Sequence, residues 1–581
     1  MTSGQHDRRL RMPASWFEEL ASGGGSREAV GFLVRAERTR RLMLLGELLD
    51  RLDEQPDILG ELGSAQTAWR LIAEAAEAQP DSLDALLMSP QVGCWIAHML
   101  RRLHGTTDGP PLWVDAGHLF TVCLVARLRA GLDADLAVPV WDGALALPTL
   151  GLARIDGGPD GFAVATARLR GPDLHLTSAG RTVGFRPLDG DDTRSTRFRP
   201  LRGFPGTTTW LDDLDPYRDL DEPVVPRPLD DSETAAWQRL FGEATDILRT
   251  PADGPGRLRV EHVRRIVPWA EPDPGSASEQ GPLMSATTGD AFGSMVISRP
   301  ADGLTLAEAM VHEFQHSKLA ALLHLFPLLH DDGSETHYAP WRPDPRHLTG
   351  LLHGAYAFTG VTGFWRDRLA DKTADPDLAA FHFALRRLQT RLVVRTLLTR
   401  ARLTAPGRRL LHGLAATLDA WLREPVDPGI AARARAAALS HLVEWRLRNL
   451  ECGEEERSVL TRAFHDGLAP PPSSLHRPEL TAEHPYWADS RFSLYCSPPR
   501  TSVTADDHLA TGAHREALRL YAEDLRRAPD DRHALAGWLL ATAHTTPAHR
   551  GLLLRPERLL AMKPCAPQDA RRVADWLASP R

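Results

Sequence analysis

The stretch "TLAEAMVHEFQHSKLAALLHLF", residues 305–326, constrains this chain more than any other. It contains neither Pro nor Gly, and its apolar residues recur at helical steps, so the pattern predicts one long helix. Asp302–Gly303 supplies a turn just ahead of it, and Thr305 followed by Glu308 predicts a capping box at its start. A fixed start fixes the phase. At 3.6 residues per turn, His312 and His316 stand one above the other on a single face, with Glu313 rotated by about 100° beside them.

That spacing has chemical meaning. Two neutral imidazoles on a rigid element offer two adjacent coordination positions, and a neighbouring carboxylate can accept a proton or hold a water. The chain has 24 histidines, so an accidental HExxH arises with a chance on the order of a few per cent. An accident would show no preference for a capped apolar helix preceded by a strand-like segment, here "SATTGDAFGSMVISRP" (285–300). A third ligand is expected from the next helix, "HLTGLLHGAYAFTGVTGFWRDRL" (347–369), where His353 lies between Gly350 and Gly354, two glycines that allow close approach. Glu335 is the second choice, ahead of His330, Asp331, Asp332, His337 and Asp344 in the connecting loop. Zinc in such a site keeps a water that Glu313 would activate as general base of a peptidase. Iron(II) on one face leaves room for a 2-oxo acid and dioxygen. The motif alone is compatible with both.

The rest of the chain narrows the classes. At 581 residues, with 43% hydrophobic and 25% charged residues, it is ordinary for a soluble globular protein of two to four domains. A net charge of -8 gives no broad basic footprint, so no nucleic-acid partner is expected. The start lacks an apolar signal core and no run of about 18 apolar residues could span a bilayer, so no membrane partner and a cytoplasmic location are expected. Cys94, Cys123, Cys452, Cys496 and Cys565 are odd in number and form no CxxC or CxxxCxxC cluster. Neither a disulfide framework, a cysteine zinc knuckle nor an iron–sulfur radical module is indicated.

Texture divides the chain into a helical region (1–135), a β-hairpin-rich region with a linker (136–232), a metal-binding catalytic domain (233–450) and a helical C-terminal region (451–581). The expected fold class is α+β, predominantly helical, with a metallopeptidase-like HExxH helix domain flanked by helical regions and a small antiparallel β-region. Strands are expected at 257–267 and 285–300, and "HREALRLYAEDLRRAPDDRHALAGWLLA" (514–541) reads as a helical hairpin.

The blocks "SATTGDAFGSMVISRP", "MVHEFQHSKLAALLHLFPLL", "HYAPWRPDPR" and "LTGLLHGAYAFTGVTGFWR", with "SPQVGCWIAHML" (89–100) upstream, resemble the HExxH-motif peptide-modification proteins of ribosomally made, post-translationally modified peptide pathways. The resemblance covers roughly residues 10–450. It implies an iron(II)- and 2-oxoglutarate-dependent dioxygenase that hydroxylates a β-carbon, on Asp or His side chains, of a ribosomally synthesised precursor peptide. Fe(II), 2-oxoglutarate and O2 would be the cofactors and cosubstrates, His312, His316 and His353 the metal ligands, and Glu313 a group orienting a ligand or water. A 2-oxo diacid needs a cation for its distal carboxylate, and Arg342, then Arg346 and Arg366, are the candidates. Tyr338, Trp341, Tyr356 and Trp365 either line a substrate channel or belong to the core. The hairpins of 136–200 could accept a leader segment by β-addition. Two other classes stay open: a Zn(II) metallopeptidase with Glu313 as general base, and a non-catalytic peptide-binding scaffold with a vestigial site.

Overall fold

Apolar residues at three- and four-residue steps build six helices at the start of the chain, as the pattern predicts: α1 Ala14–Ala21, α2 Arg27–Glu54, α3 Ala65–Ala78, α4 Pro80–Leu87, α5 Pro90–Leu103 and α6 Leu112–Ala130. The computed structural model describes residues 10–189, 197–220, 222–249, 253–269, 284–331, 333, 335–371, 374–562 and 567–579. Asp332 and Cys565 fall outside them. The architecture is mixed α+β and mostly helical, and the chain divides into two units, 1–20 with 24–327 and 21–23 with 328–581. That division falls inside the segment 233–450 expected to be one metal domain, and the two segments before it group with the HExxH helix.

In the first unit, the alternating texture of the hairpin region becomes β1 Ala134–Trp141, β2 Ala144–Leu147, β3 Gly151–Arg154, β4 Phe162–Arg170, β5 Asp173–Ser178, β6 Arg181–Phe185 and β7 Phe198–Pro200. They form one antiparallel sheet in the order β6-β5-β4-β1-β2-β3-β7. Its inward residues, among them Val138, Ala167, Leu174 and Leu176, share one core with α6 residues such as Phe120 and Leu124. Phe185 on β6 stacks on Phe198 of β7 with ring centroids 5.1 Å apart, so the two edge strands meet there. Asp115 of α6, wholly buried, accepts from Tyr217 Oη at 2.7 Å and pairs with His98 of α5 at 2.9 Å, which pins the turn Pro216–Arg218 onto these helices.

A second sheet carries the metal helix. β8 Arg202–Gly203, β9 Trp210–Leu211, β10 Arg265–Pro268, β11 Ser285–Ala286 and β12 Ser294–Ile297 lie in the order β11-β12-β10-β9-β8. β10 runs parallel to β9 and β12, and the edge strands β8 and β11 run antiparallel. A helix, α7 Asp231–Leu248, connects β9 to β10, and α8 Gly303–Leu325 follows β12. The strand expected at 257–267 is shorter than the apolar alternation suggested, because Val260–His262 forms a 3-10 turn. The strand expected at 285–300 is two strands separated by a Gly-containing loop, Thr287–Gly293.

The second unit is built from α9 Leu348–Arg368, α10 Pro376–Arg400, α11 Ala405–Leu422, α12 Pro428–Asn449, α13 Glu454–His465, α14 Ser490–Cys496, α15 Ala505–Ala510, α16 His514–Arg527 and α17 Arg532–Thr545 with short elements beyond. α16 and α17 pack as the expected hairpin. Arg491 of α14, buried, donates to Glu444 of α12 at 2.9 Å and to Asp506 of α15 at 2.7 Å, and His533 of α17 bridges the same two carboxylates. The four described cysteines are free thiols. No helix among the described residues is long and apolar enough to cross a membrane.

Candidate metal centre

The start of α8 differs from the expected capping box. Asp302 is the N-cap, its carboxylate accepting from Thr305 N at 2.8 Å, so Thr305 lies inside the helix. An ionised oxygen two residues before the first apolar side chain outcompetes the threonine hydroxyl as acceptor. Gly303 is required at the first position because α7 crosses here: a Cβ would stand 2.4 Å from Glu243 Cβ, and Gly303 N donates to Glu243 Oε2 at 3.2 Å.

Downstream of this cap, α8 is buried on nearly every side. Leu306, Met310, Leu319 and Leu322 are fully enclosed, each contributing about 1.5–3 kcal/mol of gross hydrophobic stabilisation. Between Leu306 and Leu322 the partly open positions are Glu308, His312, His316 and Ala320, an i, i+4 stripe with the two histidines in its middle. Burial elsewhere fixes the rotation of α8, and the rotation leaves this stripe open. The Nε2 atoms of His312 and His316 are 3.0 Å apart. Two nitrogens bound at about 2.1 Å to one ion stand about 3.0 Å apart at a right angle and about 3.4 Å apart at a tetrahedral angle. His312, Glu313 and His316 form the one group of potential metal ligands among the described residues, with ligand atoms all within 4.8 Å of one another.

Glu313 is different in kind from the histidines. It is 1% exposed, and each of its carboxylate oxygens accepts a hydrogen bond. Ser285 Oγ on β11 donates to Oε1 at 2.6 Å, and Thr287 Oγ1 in the following loop donates to Oε2 at 2.6 Å. Two short hydrogen bonds from hydroxyls, one to each oxygen, fix the orientation of this buried side chain. These two hydroxyls were missed in the sequence, where the only sign of them is the polar run "SATT" within an otherwise apolar strand segment.

The loop carrying Thr287 is itself gripped. Asp290 accepts from Arg40 Nη2 of α2 at 2.8 Å and from Arg101 Nη1 of α5 at 2.9 Å. Arg40 and Arg101 outweigh the effect of burial and hold the Asp290 carboxyl below its ordinary value. Arg41, buried, donates to the carbonyls of Leu87 and Ser89 at 2.9 and 2.8 Å and to Asp290 O at 3.3 Å. On the far side of the loop, Gly293 N donates to Ser317 Oγ of α8 at 3.4 Å.

The other predicted residues lie in the second unit. His353 sits within α9, largely buried, and burial lowers its pKa. Glu335 is exposed in the loop before α9. Arg342 and Arg346 share one carboxylate, Asp344, at 2.9 and 3.2 Å, whereas Arg366 is matched one to one by Glu424 at 2.8 Å. Gly354 does admit a close neighbour, and that neighbour is Trp341: a Cβ would stand 2.4 Å from its indole, which stacks on Phe358 at 4.4 Å. Tyr356 and Trp365 are core residues, Trp365 stacked on His382 at 4.2 Å, and Tyr338 bonds His441 Nδ1 at 2.9 Å. The helical spacing of these aromatics is thus a packing signal.

No protein-family model and no curated protein matches this chain.

Proposed function

We propose that the chain is an iron(II)- and 2-oxoglutarate-dependent oxygenase that hydroxylates a β-carbon, on an Asp or His side chain, of a ribosomally made precursor peptide. The resemblance of residues 10–450 to HExxH-motif peptide-modification proteins supports this reading, and the state of Glu313 carries the choice between chemistries. A peptidase needs that carboxylate to take a proton from a metal-bound water. Here both oxygens accept from Ser285 and Thr287, an arrangement suited to a side chain fixed in position. Hydroxylation makes no demand on a general base.

The residues fit a metal. Two imidazoles at 3.0 Å can direct their Nε2 lone pairs at one cation, and the open stripe of α8 leaves that face approachable. When bound, iron with 2-oxoglutarate and dioxygen supplies the oxidising power, one oxygen atom entering the peptide and the other leaving in succinate with loss of CO2. His312 and His316 would hold the metal through neutral rings, and the burial of α8 would prevent the pair from turning away. For the distal carboxylate of the diacid, Arg342 and Arg346 are better suited than Arg366, since two guanidinium groups facing one aspartate retain a net positive charge. His353 remains the proposed third ligand. A leader segment adding to the first sheet would use β6, of which the Phe185 end is closed by Phe198. Deleting or proline-blocking the hairpins should weaken precursor binding and leave metal content intact; unchanged binding would exclude this role.

The deciding experiment is anaerobic reconstitution of the full chain with iron(II), followed by oxygen, 2-oxoglutarate and candidate precursor peptides containing Asp and His, read by mass spectrometry. A gain of one oxygen atom that depends on 2-oxoglutarate supports the proposal. Cleavage fragments formed without the cosubstrate would show a Zn(II) peptidase instead, and no bound metal would show a peptide-binding scaffold.

A further inference from the structure

We infer that Ser285 and Thr287 are positioning residues for the metal centre, and that helices α2 and α5 hold them in place through Asp290. The inference rests on the metal reading above and extends it to residues outside the HExxH motif. Glu313 follows His312 directly on α8, so anchoring its carboxylate steadies the backbone from which His312 projects. Ser285 and Thr287 donate to that carboxylate, one from the edge strand β11 and one from the loop that leads to β12. Three residues after Thr287, the same loop is tied by Asp290 to Arg40 and Arg101. Gly93 of α5 packs so tightly on Asp290 O that a Cβ there would lie 2.3 Å from it. On α8, His324 Nδ1 meets Glu37 Oε1 of α2 at 2.8 Å, and Gly289 faces Ala320. The loop Thr287–Gly293 is therefore fixed between the N-terminal helices and the metal helix, and the fixture ends on the carboxylate beside His312. This gives a physical reason for the N-terminal helices to form one unit with α8: they complete the second layer of the metal site. Groups in that layer orient ligands, and losing one commonly weakens metal binding about 10- to 100-fold.

Cobalt(II) bound to the full-length chain provides the test, its titration reporting affinity and its visible bands the ligand arrangement. The wild-type chain should bind one cobalt, and His312→Ala should abolish it. Thr287→Val keeps the side-chain shape and removes the donor; it should weaken cobalt about tenfold and displace the bands. Thr287→Ser should restore both. Asp290→Asn, which loosens the grip of Arg40 and Arg101, should shift the bands in the same direction by less. Should Thr287→Val fail to fold, Ser285→Ala reads the same quantity from the other oxygen. Wild-type affinity and bands in the variant lacking a donor hydroxyl would overturn the positioning role while leaving the metal reading intact. A wild-type chain that binds no cobalt would overturn both.

Discussion

His312 Nε2 and His316 Nε2 face each other at 3.0 Å on successive turns of α8. Two neutral imidazoles can share one proton in that arrangement, and with both rings protonated on Nδ1 the two Nε2 lone pairs can instead bind one divalent cation. His312→Ala or His316→Ala should each reduce bound metal from one per chain to a trace. Because both side chains lie on the partly open stripe, the variants should keep the wild-type far-ultraviolet circular dichroism. Metal analysis after dialysis checks this, and full metal content in either variant would exclude the pair as ligands.

Glu313→Gln should act on stability before chemistry. The carboxylate accepts two hydroxyl donors in a site that is 1% exposed, and an amide offers only one acceptor oxygen. Either Ser285 or Thr287 must then turn to accept from the amide NH2, exchanging a short hydrogen bond for a weaker one at a cost of about 1 kcal/mol. A peptidase would lose turnover entirely with this change. The oxygenase should keep measurable peptide hydroxylation, so comparing denaturation midpoints with product yield separates the two roles.

Asp302→Ala tests the helix start. The aspartate caps α8 through Thr305 N, and its loss should destabilise the first unit by about 1 kcal/mol. Thr305→Ala, which under the capping-box expectation would be the costly change, should have the smaller effect. Urea denaturation of the two variants decides between the caps.

How far the sequence revealed this arrangement varies with the reach of the interaction. The phase of α8 and the shared face of His312 and His316 were legible because helical periodicity is local. The change from helices to hairpins to helices was legible for the same reason, each being a change in residue alternation. The clamp on Glu313 was not, since Ser285 and Thr287 lie 28 and 26 positions away and reach it only after β11 is placed at the sheet edge. Gly354 shows the intermediate case. A glycine on a helix announces a close approach, and nothing local says that the neighbour is Trp341. The grouping of the N-terminal helices with α8 depends on Asp290, Arg40 and Arg101, three charged residues whose composition is that of any solvated surface.

Gly354→Ala should strain the second unit. The added methyl would meet the indole of Trp341, which is itself stacked on Phe358. Overpacking of this kind costs about 1–3 kcal/mol, and a Trp341→Leu background, with room for the methyl, should relieve part of it. Additive losses in the double variant would show that Trp341 is not the obstacle.

The buried network of the second unit should make its stability depend on pH. Burial opposes charge on His533, yet its hydrogen bonds to Asp506 and Glu444 prevail and raise its pKa from 6.5 to about 9. Burial likewise opposes the Glu444 carboxylate, and His533, Arg491 and Arg448 together bring it down to about 2. Protonated His533 therefore contributes in full below pH 6.5, and the contribution is lost as pH rises through 9. The Glu444 contribution is present above its ordinary 4.5 and is lost as pH falls toward 2. The two describe one bridge and count once, on the order of 2–3 kcal/mol after allowance for the partial exposure of the imidazole. Hydrogen exchange in α12 and α17 should consequently be slowest near pH 5–6, after correction for the intrinsic exchange rate, and should quicken on the alkaline side between 6.5 and 9. His533→Gln keeps a polar side chain without a titrating ring, so its exchange should be faster at pH 6 and nearly level across that alkaline range. An unaltered alkaline rise in His533→Gln would assign the pH dependence to another group.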